Sequence, residues 1–230
     1  MSKVANNPRD RLITFSNPRS PVAEAYRQLR TNIQFSSLDR PLKTLLVTST
    51  SPEEGKSTIL ANLATTMAQT GKSVIVVDCD LRRPSLHQIF GVGNGTGLTS
   101  AMVSMDIFPF QDTGIGNLRL LPSGPLPPNP SELLGSQRME EIIQELSEQA
   151  DYVLFDSPPI IAVTDAAVLA TKVDGVLLVI SAGTTRREMA QQAKGLLDKV
   201  NAHLIGVVLN NVKYDVSLHH YYADGEKRPK

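Results

Sequence analysis

The sequence predicts an α/β protein with a doubly wound, mainly parallel sheet and helices on both faces. Short runs rich in Val, Ile and Leu recur at residues 45–47, 74–77, 153–155, 176–180 and 204–209, without the polar alternation of a strand with one wet face. Helical patterns lie between them at 57–69, 136–149, 164–171 and 186–200. Strands that alternate with helices call for right-handed crossovers and a parallel sheet. In such sheets a ligand sits beyond the carboxyl ends of the strands.

Taken in order, residues 1–20 are polar and proline-dotted and read as a flexible arm. From Pro21, Val22, Tyr26, Leu29 and Ile33 recur at helical spacing, so an amphipathic helix opens a main domain expected over 21–212. The helix at 57–69 is closed by Gly71, and that at 186–200 carries Met189, Ala193, Leu196, Leu197 and Val200 on one stripe. The glycine-rich stretch 91–97 and the segment 122–130, which reads PSGPLPPNP, are expected as surface loops. The second is read as a rigid connector in preference to a polyproline ligand. Residues 213–230 form a polar tail that holds three of the five tyrosines, Tyr214, Tyr221 and Tyr222.

Charge and cysteine usage narrow the function classes. Lys plus Arg (23) equals Asp plus Glu (23), so no global field draws the chain to nucleic acid, and no nucleic-acid partner is expected. The single cysteine, Cys79, excludes an internal disulfide framework and fits the cytoplasm. Strand alternation sends Cys79 away from its aspartate neighbours, as a small buried apolar residue. The four histidines show no metal-ligand spacing on a credible scaffold. No apolar run reaches the roughly 20 residues of a membrane span, so any membrane association is expected through a partner.

Three strand ends carry chemistry. The run at 45–47 leads into Thr48-Ser49-Thr50-Ser51-Pro52-Glu53-Glu54-Gly55-Lys56-Ser57-Thr58 and then a helix, the context of a P-loop. Glu54, Gly55, Lys56, Ser57 and Thr58 are the candidate nucleotide-binding run. Loop N–H groups can surround phosphates, Lys56 can reach the β and γ groups, and the Ser57 hydroxyl can ligate Mg²⁺. Thr50 stands where the motif has its first glycine, so the GKST and its strand-helix context carry the identification. At 74–77 a buried strand releases Asp78, Asp80, Arg82 and Arg83. Paired carboxylates suit water-mediated Mg²⁺ binding by one and proton acceptance from a hydroxyl by the other, while a single strand-end Asp more often caps a turn. At 153–155 a third strand ends in Asp156, as in a Walker B motif, where it would hold Mg²⁺.

These residues together resemble the bacterial tyrosine kinases, and in particular the free-standing cytoplasmic kinases of Gram-positive capsule and exopolysaccharide systems. The likeness rests on the hydrophobic strand ending Asp78-Cys79-Asp80-Leu81-Arg82, on VLFDSPP, on Glu24-x-x-Arg27-x-x-Arg30 and on the tyrosine tail, and spans about residues 18–222. It implies a P-loop NTPase fold and a protein-tyrosine kinase that uses ATP and Mg²⁺. Lys56, Ser57 and Thr58 would bind the nucleotide, and Asp78 and Asp156 would support the metal. Asp80 would be the base for the tyrosine hydroxyl, Arg82 would orient phosphate or loop, and Asn210 would contact adenine. It also implies a ring-shaped homo-oligomer formed through Glu24, Arg27 and Arg30, autophosphorylation at Tyr221 and Tyr222 ahead of Tyr214, other protein-tyrosine substrates, and recruitment to the inner membrane face by the cytoplasmic segment of a membrane adaptor. The plainer reading of Glu24 with Arg27 and Arg30 is an intrahelical ion pair in water, and the interface is preferred because the charged face is separate from the apolar stripe. Two other readings compete: a P-loop ATPase that positions DNA or other cargo, which usually has a lysine where this chain has Ser51, and a nucleotide-binding regulatory scaffold.

Overall fold

The computed structural model describes residues 12–36, 42–103 and 107–212. In sequence order the elements are α1 (Ile13–Ser16), α2 (Pro21–Phe35), β1 (Thr44–Ser49), α3 (Lys56–Ala68), β2 (Val74–Asp78), α4 (Leu86–Phe90), α5 (Leu98–Val103), β3 (Gln111–Asp112) and β4 (Leu118–Leu121). There follow α6 (Pro130–Gly135), α7 (Gln137–Gln149), β5 (Tyr152–Asp156), α8 (Asp165–Ala170), β6 (Gly175–Ser181), α9 (Arg187–Lys199) and β7 (Leu204–Asn210).

The strands form one seven-stranded sheet in the order β3-β4-β2-β5-β1-β6-β7. All neighbours are parallel except β3 with β4. Period-2 alternation divides the buried side chains between two cores. Leu46, Val77 and Phe155 face the layer of α5, α6, α7, α8 and α9, and Leu45, Val47, Val76 and Leu154 face α2, α3 and α4. Asp78 and Asp156, paired in register, extend the second set beyond the apolar run. Cys79 goes to the opposite core and is fully buried.

Three expectations are corrected. The arm expected over 1–20 is packed from Leu12 onward: Leu12 is buried in the α3 core, and the Thr14 N–H and hydroxyl both donate to Asn62 Oδ1 on α3. On α2 the inward stripe is Ala23, Tyr26, Leu29 and Ile33, while Val22 is half exposed. The run at 204–209 is not covered on both faces, because β7 is an edge strand and Val207 and Leu209 stand exposed. The connector 122–130 is tied down by Leu98 and Thr99 N–H groups donating to the Pro122 and Ser123 carbonyls at 2.7 and 3.0 Å.

Candidate active site

The P-loop connects β1 to α3, and its curvature is set by residues of both loop and sheet. Gly55 sits at φ 90°, a left-handed conformation that costs a glycine little. A Cβ there would lie 2.3 Å from Asn210 Nδ2, so the position also needs the missing side chain. Asn210, at the end of β7, donates from Nδ2 to the Glu54 carbonyl at 2.8 Å. The N-terminus of α3 has no side-chain cap, which leaves its first-turn N–H groups turned toward whatever the loop encloses.

The Glu54 carboxylate is buried inside the loop. It accepts from the Thr50 N–H and hydroxyl at 2.9 and 2.6 Å, from the Ser51 N–H at 3.1 Å, and from the Thr185 hydroxyl at 2.5 Å. Thr50, which replaces the motif's first glycine, is thus held by its own hydroxyl.

Lys56 gathers the strand ends. Its Nζ lies 3.0 Å from Asp80 Oδ2, 3.4 Å from Asp156 Oδ1 and 3.1 Å from Ser57 Oγ. Ser57 in turn donates to Asp156 Oδ2 at 2.5 Å. Asp78 lies one layer deeper, where Oδ2 accepts the Ser85 and Leu86 N–H groups at 3.1 and 3.0 Å and Oδ1 accepts the Asp80 N–H at 3.2 Å. Asp80 faces a cleft of about 610 Å³ whose lining includes Lys56, Ser57, Thr58, Arg83 and Pro158.

The electrostatics follow from three carboxylates sharing one ammonium. Burial, reinforced by the Asp156 charge, pushes Asp78 up to about 8. Burial also raises Asp156 above the usual carboxylate range, although Lys56 and the Ser57 hydroxyl pull it down. For Lys56 burial disfavours the charge, and the Asp156 and Asp80 carboxylates outweigh it and hold the ammonium above its ordinary value. Burial drives the Cys79 thiol well up, with the aspartates adding to it, so it carries no nucleophile.

This donor set fits magnesium. The oxygens of Ser57, Asp156 and, behind them, Asp78 are hard ligands, and the excess of buried carboxylate over cation is what a dication would relieve. Among the described residues no three carboxylate, imidazole or thiolate groups can cage a metal unaided. A magnesium ion here would therefore keep waters and share phosphate oxygens, as this ion commonly does.

Comparison with known proteins decides the family. The profile of the ParA family, described as NUBPL iron-transfer P-loop NTPase, matches residues 42–221. The tyrosine-protein kinase YwqD of Bacillus subtilis (strain 168) is 44% identical over 214 residues, covering 92% of this chain and 90% of that protein. The putative tyrosine-protein kinase CapB of Staphylococcus aureus is 38% identical over 217 residues, covering 94% and 95%. The crystal structure of the chimerical protein CapA2B2 superposes with a TM-score of 0.86 at 36% identity, covering 89% of this chain and 91% of that one. The chain is a bacterial tyrosine kinase.

In this kinase the structure brings Lys56, Ser57, Asp78, Asp80 and Asp156 together, with Thr58 at the cleft. Of the two roles expected of Arg82, phosphate or loop, its contacts are those of the second. The guanidinium is a bidentate partner of the fully buried Asp165 at 2.9 and 3.0 Å, with Ser131 also donating to Asp165 Oδ1 at 3.0 Å. Arg82 thereby ties the β2 loop to α8 and α6 and is a positioning residue. The Glu54 side chain and the Asn210 amide nitrogen likewise serve the loop itself, which leaves Glu54 only its backbone for a phosphate. Arg30 donates to the Thr66 carbonyl on α3 at 2.9 Å, so it faces inward, whereas Arg27 turns to the exposed Glu24 and the Pro18 carbonyl. Tyr214, Tyr221 and Tyr222 lie outside the described residues.

Sequence reasoning missed Thr185, Asp165 and Ser131. Their partners lie 131, 83 and 34 positions away, and no local pattern links such residues. The one local sign was Glu54 itself, an acid placed four residues after a Thr inside a phosphate loop.

Proposed function

We propose that this kinase takes the γ-phosphoryl group from Mg-ATP and passes it to tyrosines of its own C-terminal tail, Tyr214, Tyr221 and Tyr222, within a homo-oligomer. Lys56, Ser57 and Thr58 would bind the nucleotide, Ser57 and Asp156 would hold magnesium with Asp78 behind them, and Asp80 would be the base. The observation that carries this reading is the Asp80 carboxylate: it faces the cleft, 3.0 Å from the Lys56 ammonium at the P-loop. Asp78 is engaged by three N–H groups below it, which favours Asp80 for the proton.

The step balances as a phosphoryl transfer. As the tyrosine oxygen bonds to the γ-phosphorus, its proton passes to Asp80, and the bond to the β–γ bridging oxygen breaks to leave ADP. Lys56 neutralises charge that shifts onto the phosphates. Bound magnesium would supply further charge neutralisation at the phosphates. A phosphorylated tail carries about −1.5 to −2 charges per tyrosine, and the three aspartates repel it, which clears the cleft.

The family likeness further supports a cytoplasmic kinase recruited to the membrane by the cytoplasmic segment of an adaptor, acting on protein tyrosines in capsule or exopolysaccharide synthesis. Among the described residues no helix is long and apolar enough to cross a membrane.

Incubation with Mg-ATP followed by intact-mass and peptide mass spectrometry tests the proposal. Phosphate is expected on tail tyrosines of the native protein. Lys56→Met and Asp80→Asn should both abolish it, with Asp80→Asn still binding nucleotide in a fluorescence titration. ATP hydrolysis without phosphotyrosine would support the cargo-positioning ATPase instead.

A further inference from the structure

Three cations stand at the cleft, and two are committed. Lys56 is paired with Asp80 and Asp156, and Arg82 with Asp165. Arg83 lines the same cleft, is exposed, and its guanidinium makes no ion pair or hydrogen bond among the described residues. Its backbone is nonetheless held: the Arg83 main-chain N–H donates to Asp80 Oδ1 at 3.0 Å, one hydrogen bond from the proposed base. Pro84 follows it and restricts the Arg83 backbone.

The charge around it is negative. Asp78, Asp80 and Asp156 form an acidic floor, to which a triphosphate adds more. A carboxylate brought in close to the acceptor tyrosine is repelled there, whatever the charge of the rest of the segment, unless a cation on the rim meets it. The tail has such carboxylates, on the C-terminal side of its tyrosines: Asp215 directly follows Tyr214, and Asp224 and Glu226 follow Tyr222.

We propose that Arg83 is a specificity-determining residue that binds an acidic residue lying after the acceptor tyrosine in sequence. The substrate class is then a tyrosine followed within about four residues by Asp or Glu, in the tail and in other proteins. Guanidinium and carboxylate match as planar, charge-assisted partners, and a guanidinium is more weakly hydrated than an ammonium, which lowers the cost of making the contact. The inference rests on the tail being the acceptor.

The test uses the full-length protein as both enzyme and substrate. The substrate is isotope-labelled protein with Lys56→Met and either the native tail or a tail with Asp215→Asn, Asp224→Asn and Glu226→Gln. Labelling separates its phosphate from that of the enzyme in intact-mass spectra. The unmodified enzyme is expected to phosphorylate the native tail about fivefold faster than the neutral one, a ratio that shrinks with added salt, as for a partly exposed charge pair. Arg83→Ala should bring the ratio near one by slowing the native tail, and Arg83→Lys should keep most of it.

An unmodified enzyme that treats the two tails alike overturns the inference while leaving tail phosphorylation standing. So does Arg83→Ala slowing both tails equally, which would make Arg83 a phosphate-binding group. Phosphorylation of neither tail would overturn both the inference and the acceptor assignment beneath it.

Discussion

A carboxylate taken out of water needs donors, and Glu54 has four, supplied by Thr50, Ser51 and Thr185. Glu54→Gln replaces an acceptor oxygen with an N–H₂ group that faces those donors. The expected cost is about 1–3 kcal/mol, from buried donors left unpaired. Because the strain falls on the phosphate loop, nucleotide affinity should drop with the melting temperature, and a titration beside thermal denaturation reads both. Arg82 offers a second test of role at this scale. Removing its guanidinium leaves Asp165 buried without its cation, so Arg82→Ala should cost about 2 kcal/mol, discounted for the half-open Arg side chain. Arg82→Ala with Asp165→Asn should recover much of that stability. If the double variant recovers nothing, the pair is not what Arg82 is for. The motif showed that Arg82 belongs at this site, but its partner lies 83 positions on, and only the fold reveals which anion it meets.

The elements that sequence periodicity found are α2, α3, α7 and α9, of 13 to 15 residues, five strands, and the 6-residue α8, which a polar start and an apolar run marked despite its length. Those it missed are short. β3 and β4 span 2 and 4 residues, and α1, α4, α5 and α6 span 4 to 6, too few turns or alternations to rise above composition. Their existence depends on contacts made elsewhere, such as Leu12 and Thr14 docking α1 on α3. Tyr26 reports on how α2 docks. Burial pushes its phenol up to about 12, because the phenolate is denied water. A group whose folded value is raised contributes stability that is complete below its unfolded value near 10 and lost as pH climbs toward 12. Tyr26→Phe should remove that part of the alkaline limb in a denaturation series from about pH 9 to about pH 12 and leave the neutral range nearly unchanged. An unaltered alkaline limb would mean that Tyr26 is solvated in the native state.

Sheet order makes the site at the scale of the molecule. β5 lies between β2 and β1, so Asp78, Asp156 and the P-loop emerge side by side, although 78 residues separate the two aspartates in sequence (156 minus 78). That adjacency was legible from three strand-end motifs, since a doubly wound sheet gathers its carboxyl ends on one edge. How copies of the protein meet is a separate matter, and α2 supplies its test. Glu24 and Arg27 pair with each other on the outer side of α2, where Arg27 also donates to the Pro18 carbonyl, and such a surface pair contributes only about 0–1 kcal/mol to folding. Arg30 instead holds α2 to α3 through the Thr66 carbonyl, so replacing all three residues would confuse assembly with folding. The informative variant is Glu24→Ala with Arg27→Ala. If this face joins subunits, light scattering should show a smaller particle while the melting temperature of the diluted protein stays within about 2 °C, because an exposed pair carries little folding energy. Arg30→Ala should lower the melting temperature first. A particle of unchanged mass in the double variant would remove Glu24 and Arg27 from any subunit contact and leave them as a solvated ion pair.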